Sequence, residues 1–435
     1  MAMKIGIRRE DKRFERRTPI VPEDVPKILA EGVGVVVQPS GRRVFTDEQY
    51  TAAGARLDED LSDCEIVFGI KEFPVSFFRE GGRYAFFSHT IKGQEHNMPM
   101  LRALLEKGCT LVDYEKVTDE SGRRLILFGR HAGLAGMAET LWALGRRLES
   151  EGFRTPLSKI RRASEYRDIE HLKEALKEVG AEIERDGLPP KVAPLVVGIA
   201  GYGNVSRGAQ EVLDALPTEE IDPARLESLP ESEMLNNRIY KVVFMEKHTV
   251  RPKDATAEFD LQDFFAHPER YESVFEKFLP HLSVLVNAVY WEPGCPRLIS
   301  KAAAKRLFRA EKAPKLRVIG DISCDIEGAV ELTLTSTTPG SPVFTYDPEG
   351  EGIVDGYEDR GVVVMAVDIL PAELPADSSR HFSKMLLPYA ARMAKADWDE
   401  EFDALALPRE IKNAVIVHKG ALTPQYEYLG EFVGD

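Results

Sequence analysis

Through the first 130 residues one pattern repeats: a short apolar run, a polar hinge, then a segment whose apolar residues recur at helical spacing. The runs are Lys4 to Ile7, Val33 to Val37, Glu65 to Ile70, Tyr84 to Phe87 and Thr110 to Tyr114. Helices are expected between them. Pro22 to Ala30 begins with proline near its first turn and ends at Gly32, Asp47 to Ala53 follows a Thr46 cap and stops at Gly54, and Gly93 to Lys107 closes at Gly108. Strands that alternate with helices imply a parallel sheet covered on both faces, with ligands at the carboxyl ends of the strands.

Those ends carry charge. The first strand runs into Arg8, Arg9, Glu10, Asp11 and Lys12, with Arg17 following. The third runs into Lys71 and Glu72, the fourth into His89 and Lys92, and the fifth into Glu115 with Arg123 and Arg124 beyond. A single lysine after a strand reads as a solvated loop residue. Ionisable residues at corresponding ends of four strands fit a cleft that binds carboxylates and moves protons.

A second informative stretch is VAPLVVGIAGYGNVSRGAQEVLDAL, an apolar strand from Val192 to Ala200, a glycine turn, and a helix from about Asn204 to Leu216. Gly201 and Gly203, with Tyr202 between them and Asn204 and Val205 after, match the start of a dinucleotide fingerprint. Ser206 stands where a third glycine is expected, and Gly208 follows two residues later. Strand, turn and helix together would present free N–H groups to a pyrophosphate. Pro217 to Asn237 reads as an acidic, proline-punctuated insertion, so the next strand is placed at Tyr240 to Met245, ending on Glu246. A carboxylate there accepts from ribose hydroxyls and repels a 2′-phosphate, favouring NAD over NADP, although Lys247 and His248 beside it argue partly the other way. Ser283 to Tyr290 and Leu316 to Ile322 continue the same sheet, the latter run carrying Asp321 to the cofactor edge.

Composition narrows the classes. A chain of 435 residues, 43% hydrophobic, buries more than one core. The formal charge of -15 opposes wholesale binding of nucleic acid, leaving room for a local basic pocket. No apolar run of about eighteen residues could span a bilayer, and MAMKIGIRRE lacks a following signal region, so a soluble cytoplasmic chain is expected. Cys64, Cys109, Cys295 and Cys324 are widely spaced without a CxxC, which suggests neither zinc nor disulfides.

Between the two strand systems, FGRHAGLAGMAETLWALGRRLESEG sets Ala132, Gly133, Ala135 and Gly136 at the start of an amphipathic helix of about five turns, read as either a hinge or a packing helix. After Asp325 the composition shifts to Thr, Pro and Gly, and one more helix is expected from about Ser378. The expected architecture is α/β, with two Rossmann-like domains whose parallel, doubly wound sheets flank a central cleft. Its boundaries are 1–130 for the first part of a substrate domain, 131–325 for a dinucleotide-binding domain, and 326–435 for a segment returning to the substrate domain.

The stretches IGIRREDKRFERRTPI, FGIKEFP, YAFFSHTIKGQE, LVDYEKVTDESGRRLILFG, AGLAGM, GYGNVSRGAQ, HPERY, YWEPGCPRL and VDILPAELP resemble the lysine-2-oxoglutarate reductase domain of aminoadipic semialdehyde synthases. They are similar, more loosely, to the fungal lysine-forming saccharopine dehydrogenases and, more distantly, to alanine dehydrogenases. The likeness covers nearly the whole chain, and the glutamate-forming domain of the bifunctional enzymes does not follow, which implies a single activity. It implies a reaction joining L-lysine, 2-oxoglutarate and NAD(P)H into saccharopine, or its reverse. Lys71 and His89 would share the acid–base work, and Glu72 and Glu115 would tune the neighbouring ammonium. Arg17, Lys92 and Arg124 would meet substrate carboxylates, with Lys12 and Arg123 beside them. Gly201 and Gly203 match the cofactor turn. The implied partners are small molecules, without nucleic acid, membrane or metal, and leave room for a homo-oligomer. Two rivals are an alanine-dehydrogenase-like enzyme using ammonia, which would need one carboxylate clamp, and a catalytically silent nucleotide-binding regulator, which would not need Lys71 and His89.

Overall fold

The computed structural model describes residues 3–310 and 314–434. The chain divides into two compact units, Met1–Phe128 with Pro375–Asp435, and Gly129–Leu374. Each is built on an eight-stranded, mostly parallel sheet.

In the first unit the sheet runs Ala421–Leu422, Val415–His418, Thr110–Asp113, Arg83–Phe86, Ile66–Phe68, Lys4–Ile7, Gly34–Val37, Arg56–Leu57. The second and third strands in chain order lie on one side of Lys4–Ile7 and the fourth to sixth on the other, so the winding reverses between Lys4–Ile7 and Ile66–Phe68. Parallel pairing there is in register, Ile5 opposite Ile66 and Ile7 opposite Phe68. At such a reversal the connections diverge and leave a crevice beyond the carboxyl ends. Ile5, Ile7, Ile66 and Phe68 are wholly buried, because helices cover both faces; truncating Phe68 to alanine would cost about 3–5 kcal/mol. The helix Pro375–Lys395 packs behind the strand ends, its Ser379 and Ser383 hydroxyls accepting from the N–H groups of Thr18 (3.0 Å) and Val21 (3.1 Å). Phe382 stacks on Phe128 and meets Tyr114 edge-on.

The second unit's sheet runs Gly352–Asp355, Val343–Asp347, Val362–Met365, Val318–Asp321, Val284–Asn287, Leu195–Ala200, Ile239–Phe244, Thr218–Glu220. Its reversal lies between Leu195–Ala200 and Val284–Asn287. Alternate residues of Leu195–Ala200 feed separate cores, Val197 and Ile199 on one face and Val196 and Ala200 on the other.

Several expectations change here. The return to the first unit begins at Pro375, not at 326. Val362–Met365 pairs parallel with Val318–Asp321, and Val343–Asp347 pairs antiparallel with Val362–Met365, so these apolar strands bury in the second sheet. The Thr/Pro/Gly shift after Asp325 marks a loop. Residues 217–237 are not a pure insertion: Thr218–Glu220 is an edge strand parallel to Ile239–Phe244, invisible as an apolar run because Glu219 and Glu220 are exposed. Each sheet also carries antiparallel strands at one side. The helix Gly129–Ser150 belongs to the second unit, and its small residues are used for close packing. A Cβ at Gly133 would lie 1.9 Å from the Val205 carbonyl oxygen, and one at Gly136 2.6 Å from Ile322. The four cysteines are free thiols. Among the described residues no helix is long and apolar enough to cross a membrane.

Candidate active site

Beyond the reversal in the first sheet, side chains from three strand ends meet. Glu72, just past Ile66–Phe68, accepts from the Lys12 ammonium at 2.6 Å through Oε2 and contacts His89 Nδ1 at 2.5 Å through Oε1. Burial alone would raise the Glu72 carboxyl, but hydrogen bonds and charge from His89 and Lys12 override it and hold it well below the usual carboxylate range. An anionic Glu72 requires Nδ1 of His89 to carry the proton, which leaves Nε2 as the ring nitrogen not engaged by Glu72. Lys71 lies next in the chain. Burial depresses its ammonium pKa first, repulsion from Arg17 and Lys12 adds to the effect, and Glu72 and Glu15 oppose it. A lysine so placed has a larger neutral fraction near pH 7 than a solvated one.

His89 sits in a left-handed backbone conformation, φ +49°. That geometry costs a residue with a Cβ about 1–2 kcal/mol. Asn97 Nδ2 holds the His89 carbonyl at 3.0 Å, and the imidazole lies parallel to Phe87 with centroids 6.3 Å apart. Beneath it the buried Ser88 hydroxyl bonds both Asp113 and Thr90 (2.7 Å). Burial pushes Asp113 up to about 6, against donation from Ser88 and the Glu115 N–H.

The expected cations are not equivalent. Arg17 is 3% exposed and forms a two-point pair with Glu15 (Nε to Oε1 2.7 Å, Nη2 to Oε2 2.5 Å), with its guanidinium 4.3 Å from the Phe128 ring centre. Arg124 pairs with the largely buried Glu115. Lys92 is exposed in the turn after His89. Arg123 is exposed, its Nε bonding Asp119 at 2.9 Å in a surface turn. Two residues absent from the sequence-based set belong to the group. Glu15 shares a face with Arg17, as residues two apart in extended chain do. Glu10 is buried, and its carboxylate accepts from the N–H groups of Ile70 (2.6 Å) and Lys71 (3.1 Å). Glu10 lies within a run of six charges, Arg8 to Arg13, and nothing local in that run distinguishes a buried acid from a solvated one.

In the second unit the strand Leu195–Ala200 ends in Gly201, φ +99°, where a Cβ would lie 2.7 Å from the Ala288 carbonyl oxygen. Gly203 caps the helix Asn204–Leu213 and has nothing within 4 Å of a hypothetical Cβ, so the space over the first turn is open. Ser206, at the third fingerprint position, is buried and accepts from Gln210 Nε2 at 3.0 Å. The close approach that a third glycine usually serves is made two residues later, since a Cβ at Gly208 would lie 2.0 Å from the Arg130 carbonyl oxygen. Asn204 and Val205 form the helix's first turn, whose N–H groups point into that open space. Tyr202 is 40% exposed and bonds the Glu246 carboxylate; partial burial and that charge push its pKa up. Glu246, following Ile239–Phe244, therefore stands beside the glycine turn. His248 Nδ1 accepts the Met245 N–H at 3.0 Å and so caps a one-turn helix, while Lys247 is exposed. A pyrophosphate fits the open turn and a ribose diol fits Glu246. Asp321 departs from its expected role. It is wholly buried, Oδ1 accepting from Asn287 (2.8 Å) and the Cys324 N–H (3.1 Å) and Oδ2 from Thr333 (2.5 Å), which leaves it a structural anchor of the strand end.

The chain matches the family description "Alanine dehydrogenase/PNT, N-terminal domain" over residues 6–135 and "Alanine dehydrogenase/PNT, C-terminal domain" over residues 197–425. It is 37% identical to an alpha-aminoadipic semialdehyde synthase of Arabidopsis thaliana over 98% of its own length and 41% of the relative, and 35% identical to the mitochondrial one of Bos taurus over 98% and 47%. It thus spans less than half of those relatives. A saccharopine dehydrogenase [NAD(+), L-lysine-forming] of Emericella nidulans is 26% identical over 88% of this chain and 90% of that one. An L-alanine dehydrogenase of known structure shares the fold, with a TM-score of 0.65 and 19% identity across 99% of this chain and 100% of that one. Two glycine-shaped and charge-lined strand ends, on two sheets of this winding, thus accompany matches to both domains of one family, and the chain belongs to the alanine dehydrogenase/PNT family.

Proposed function

We propose that the protein is a nicotinamide-dependent oxidoreductase of lysine metabolism, condensing the ε-amine of L-lysine with 2-oxoglutarate and reducing the imine to saccharopine, or running that reaction in reverse. The observation that carries this reading is the Lys12–Glu72–His89 relay beside a depressed Lys71 at one strand-end crevice. The relative named as a lysine-forming saccharopine dehydrogenase supports the choice of substrates.

Condensation needs a neutral amine, a proton for the departing hydroxyl of the carbinolamine, and a base for the nitrogen's proton. Through Nε2, His89 takes and returns these protons, while Glu72 holds its Nδ1–H and stabilises the imidazolium that forms. Lys71, whose ammonium is destabilised by burial and by Arg17, serves as the second proton-transfer group. Arg17 and Arg124 meet substrate carboxylates by charge-assisted bonds; each has a carboxylate partner in the protein, Glu15 and Glu115, so a substrate shares or displaces it. A bound nicotinamide dinucleotide supplies or accepts the hydride. Gly201, Gly203, Asn204 and Val205 would hold its pyrophosphate, and Glu246 the adenosine ribose.

The test is oxidation of NADH and of NADPH with each amine and keto acid, singly and together. Turnover is expected only when lysine and 2-oxoglutarate are both present. Because Glu246 repels a 2′-phosphate, kcat/KM should favour NADH. Turnover with ammonia and pyruvate would replace the reading by an alanine-dehydrogenase-like one, and cofactor binding without turnover on any pair would point to a regulator.

A further inference from the structure

The buried carboxylate of Glu10 has no part in the proton relay, yet it is placed where only a specific demand would keep an acid. The strands Lys4–Ile7 and Ile66–Phe68 pair in parallel up to the Arg8 N–H, which donates to the Phe68 carbonyl at 2.9 Å. Past that point the two chains separate. On the other side the ladder continues, with the Gly69 N–H donating to Ala85 (3.0 Å) and the Phe87 N–H to Ile70 (3.1 Å). The N–H groups of Ile70 and Lys71 have lost their strand partner, and orphaned buried donors cost about 1–3 kcal/mol each. Glu10 supplies both acceptors, Oε1 to Ile70 at 2.6 Å and Oε2 to Lys71 at 3.1 Å.

Two further observations fit a clamp. A Cβ at Gly69 would lie 2.2 Å from the Phe73 ring and 3.3 Å from Glu10 Oε1, so the chain is smallest where the carboxylate presses on it. Arg8, whose charge acts on Glu10, pairs with Asp11 and lies over Phe73 and Phe77, and the Glu10 oxygens bond the two amides. We infer that Glu10 is a positioning residue for Lys71, gripping two consecutive peptide N–H groups so that the turn carrying Lys71 and Glu72 holds a single geometry. This rests on the reading of Lys71 as a proton-transfer group. Burial, with Glu15 nearby, pushes Glu10 up to about 7, against Arg8 and the two N–H groups. Tyr114 also faces Glu10, whose charge adds to burial in pushing the phenol pKa up. A protonated carboxyl keeps one good acceptor, so the grip loosens toward acid pH.

A double-mutant cycle separates positioning from plain stability. Glu10→Gln keeps the shape but sets an amide N–H₂ against one backbone donor, and is expected to lower kcat by about 10-fold to 100-fold with cofactor affinity nearly unchanged. Lys71→Met should lose on the order of 10²-fold or more. If Glu10 acts through Lys71, the double variant should match Lys71→Met to within about threefold; a loss equal to the product of the two singles would overturn the inference. Glu10→Asp, one methylene short of reaching both amides, should also lose turnover while folding normally, and wild-type kcat in a folded Asp variant would overturn it too. An arm that needs no turnover is the pH dependence of Lys71 acylation, followed by peptide mass spectrometry. Glu10→Gln should move the apparent pKa of Lys71 upward by about half a unit or more as the turn relaxes toward solvent. No movement sinks the positioning role, whereas absent turnover of lysine with 2-oxoglutarate, or a fully active Lys71→Met, sinks the functional reading instead.

Discussion

At the end of Ile66–Phe68 the first unit gathers Lys12, Lys71, Glu72 and His89 within bonding or charge range of one another. At the end of Leu195–Ala200 the second unit offers Gly201, Gly203 and the bare first turn of a helix, with Glu246 and Tyr202 at its edge. Both places lie at a reversal of strand order. One is made of side-chain charge at partly buried strand ends, and the other of backbone amides and open space. The first should fail when a group is removed. The second should fail when a methyl is added.

The largest effect expected is at His89. His89→Gln keeps a polar side chain of similar reach but cannot exchange protons near neutral pH, so kcat should fall by roughly 10²-fold or more while cofactor affinity and Tm barely move. A drop of many degrees in Tm, with turnover per folded molecule intact, would make it a packing residue. Next come two alanines in the glycine turn. Gly203→Ala adds a methyl to space the protein leaves open, so Tm should hold while the Kd for NADH, read by fluorescence titration, rises by on the order of tenfold. Gly201→Ala meets both φ +99° and the Ala288 carbonyl, so it should weaken binding similarly and also cost about 1–3 kcal/mol of stability. Equal Tm losses in the two variants would break the distinction. Arg124→Ala should raise KM for 2-oxoglutarate or saccharopine by about tenfold, with a smaller change in kcat. An unchanged KM would leave Arg124 as only the partner of Glu115.

The smallest effect is on stability against pH. Glu72 is held below its ordinary value of 4.5, so the stability it adds is complete above that pH and is lost as pH falls through the acid range. Glu72→Gln should therefore be about 1–2 kcal/mol less stable than wild type at pH 7, and the gap should shrink steadily below about pH 4.5. A gap independent of pH would mean that the Glu72 contribution is packing and not charge.

Much of this was legible along the chain because it depends on neighbours in sequence. The strands at Lys4–Ile7 and Thr110–Asp113 declared themselves by apolar runs, the helix Asp47–Ala52 by its Thr46 cap, and the nucleotide turn by glycines between strand and helix. Edge strand Thr218–Glu220 was hidden, since a strand solvated on one side carries glutamates. Asp321 looked ligand-ready at a strand end but is consumed by Asn287, Thr333 and the Cys324 amide. Neighbours in sequence, Arg123 and Arg124 take different partners, Asp119 in a surface turn and the largely buried Glu115.

By itself, then, the sequence determined what hydrophobic periodicity and glycine placement dictate: two βα-built sheets, a nucleotide turn, and charge at one set of strand ends. Those properties follow from short-range sterics and from which residues avoid water. Only the tertiary structure decided that residues 326–374 stay with the second sheet, that Gly208 and Gly133 replace the missing third glycine, and that Glu10, sixty residues from Ile70, closes the turn behind Lys71. Each depends on which distant backbone group was left without a partner, or how closely two elements could approach. Burial and hydrogen-bond satisfaction are settled in space among residues far apart in the chain, so no local pattern announces them.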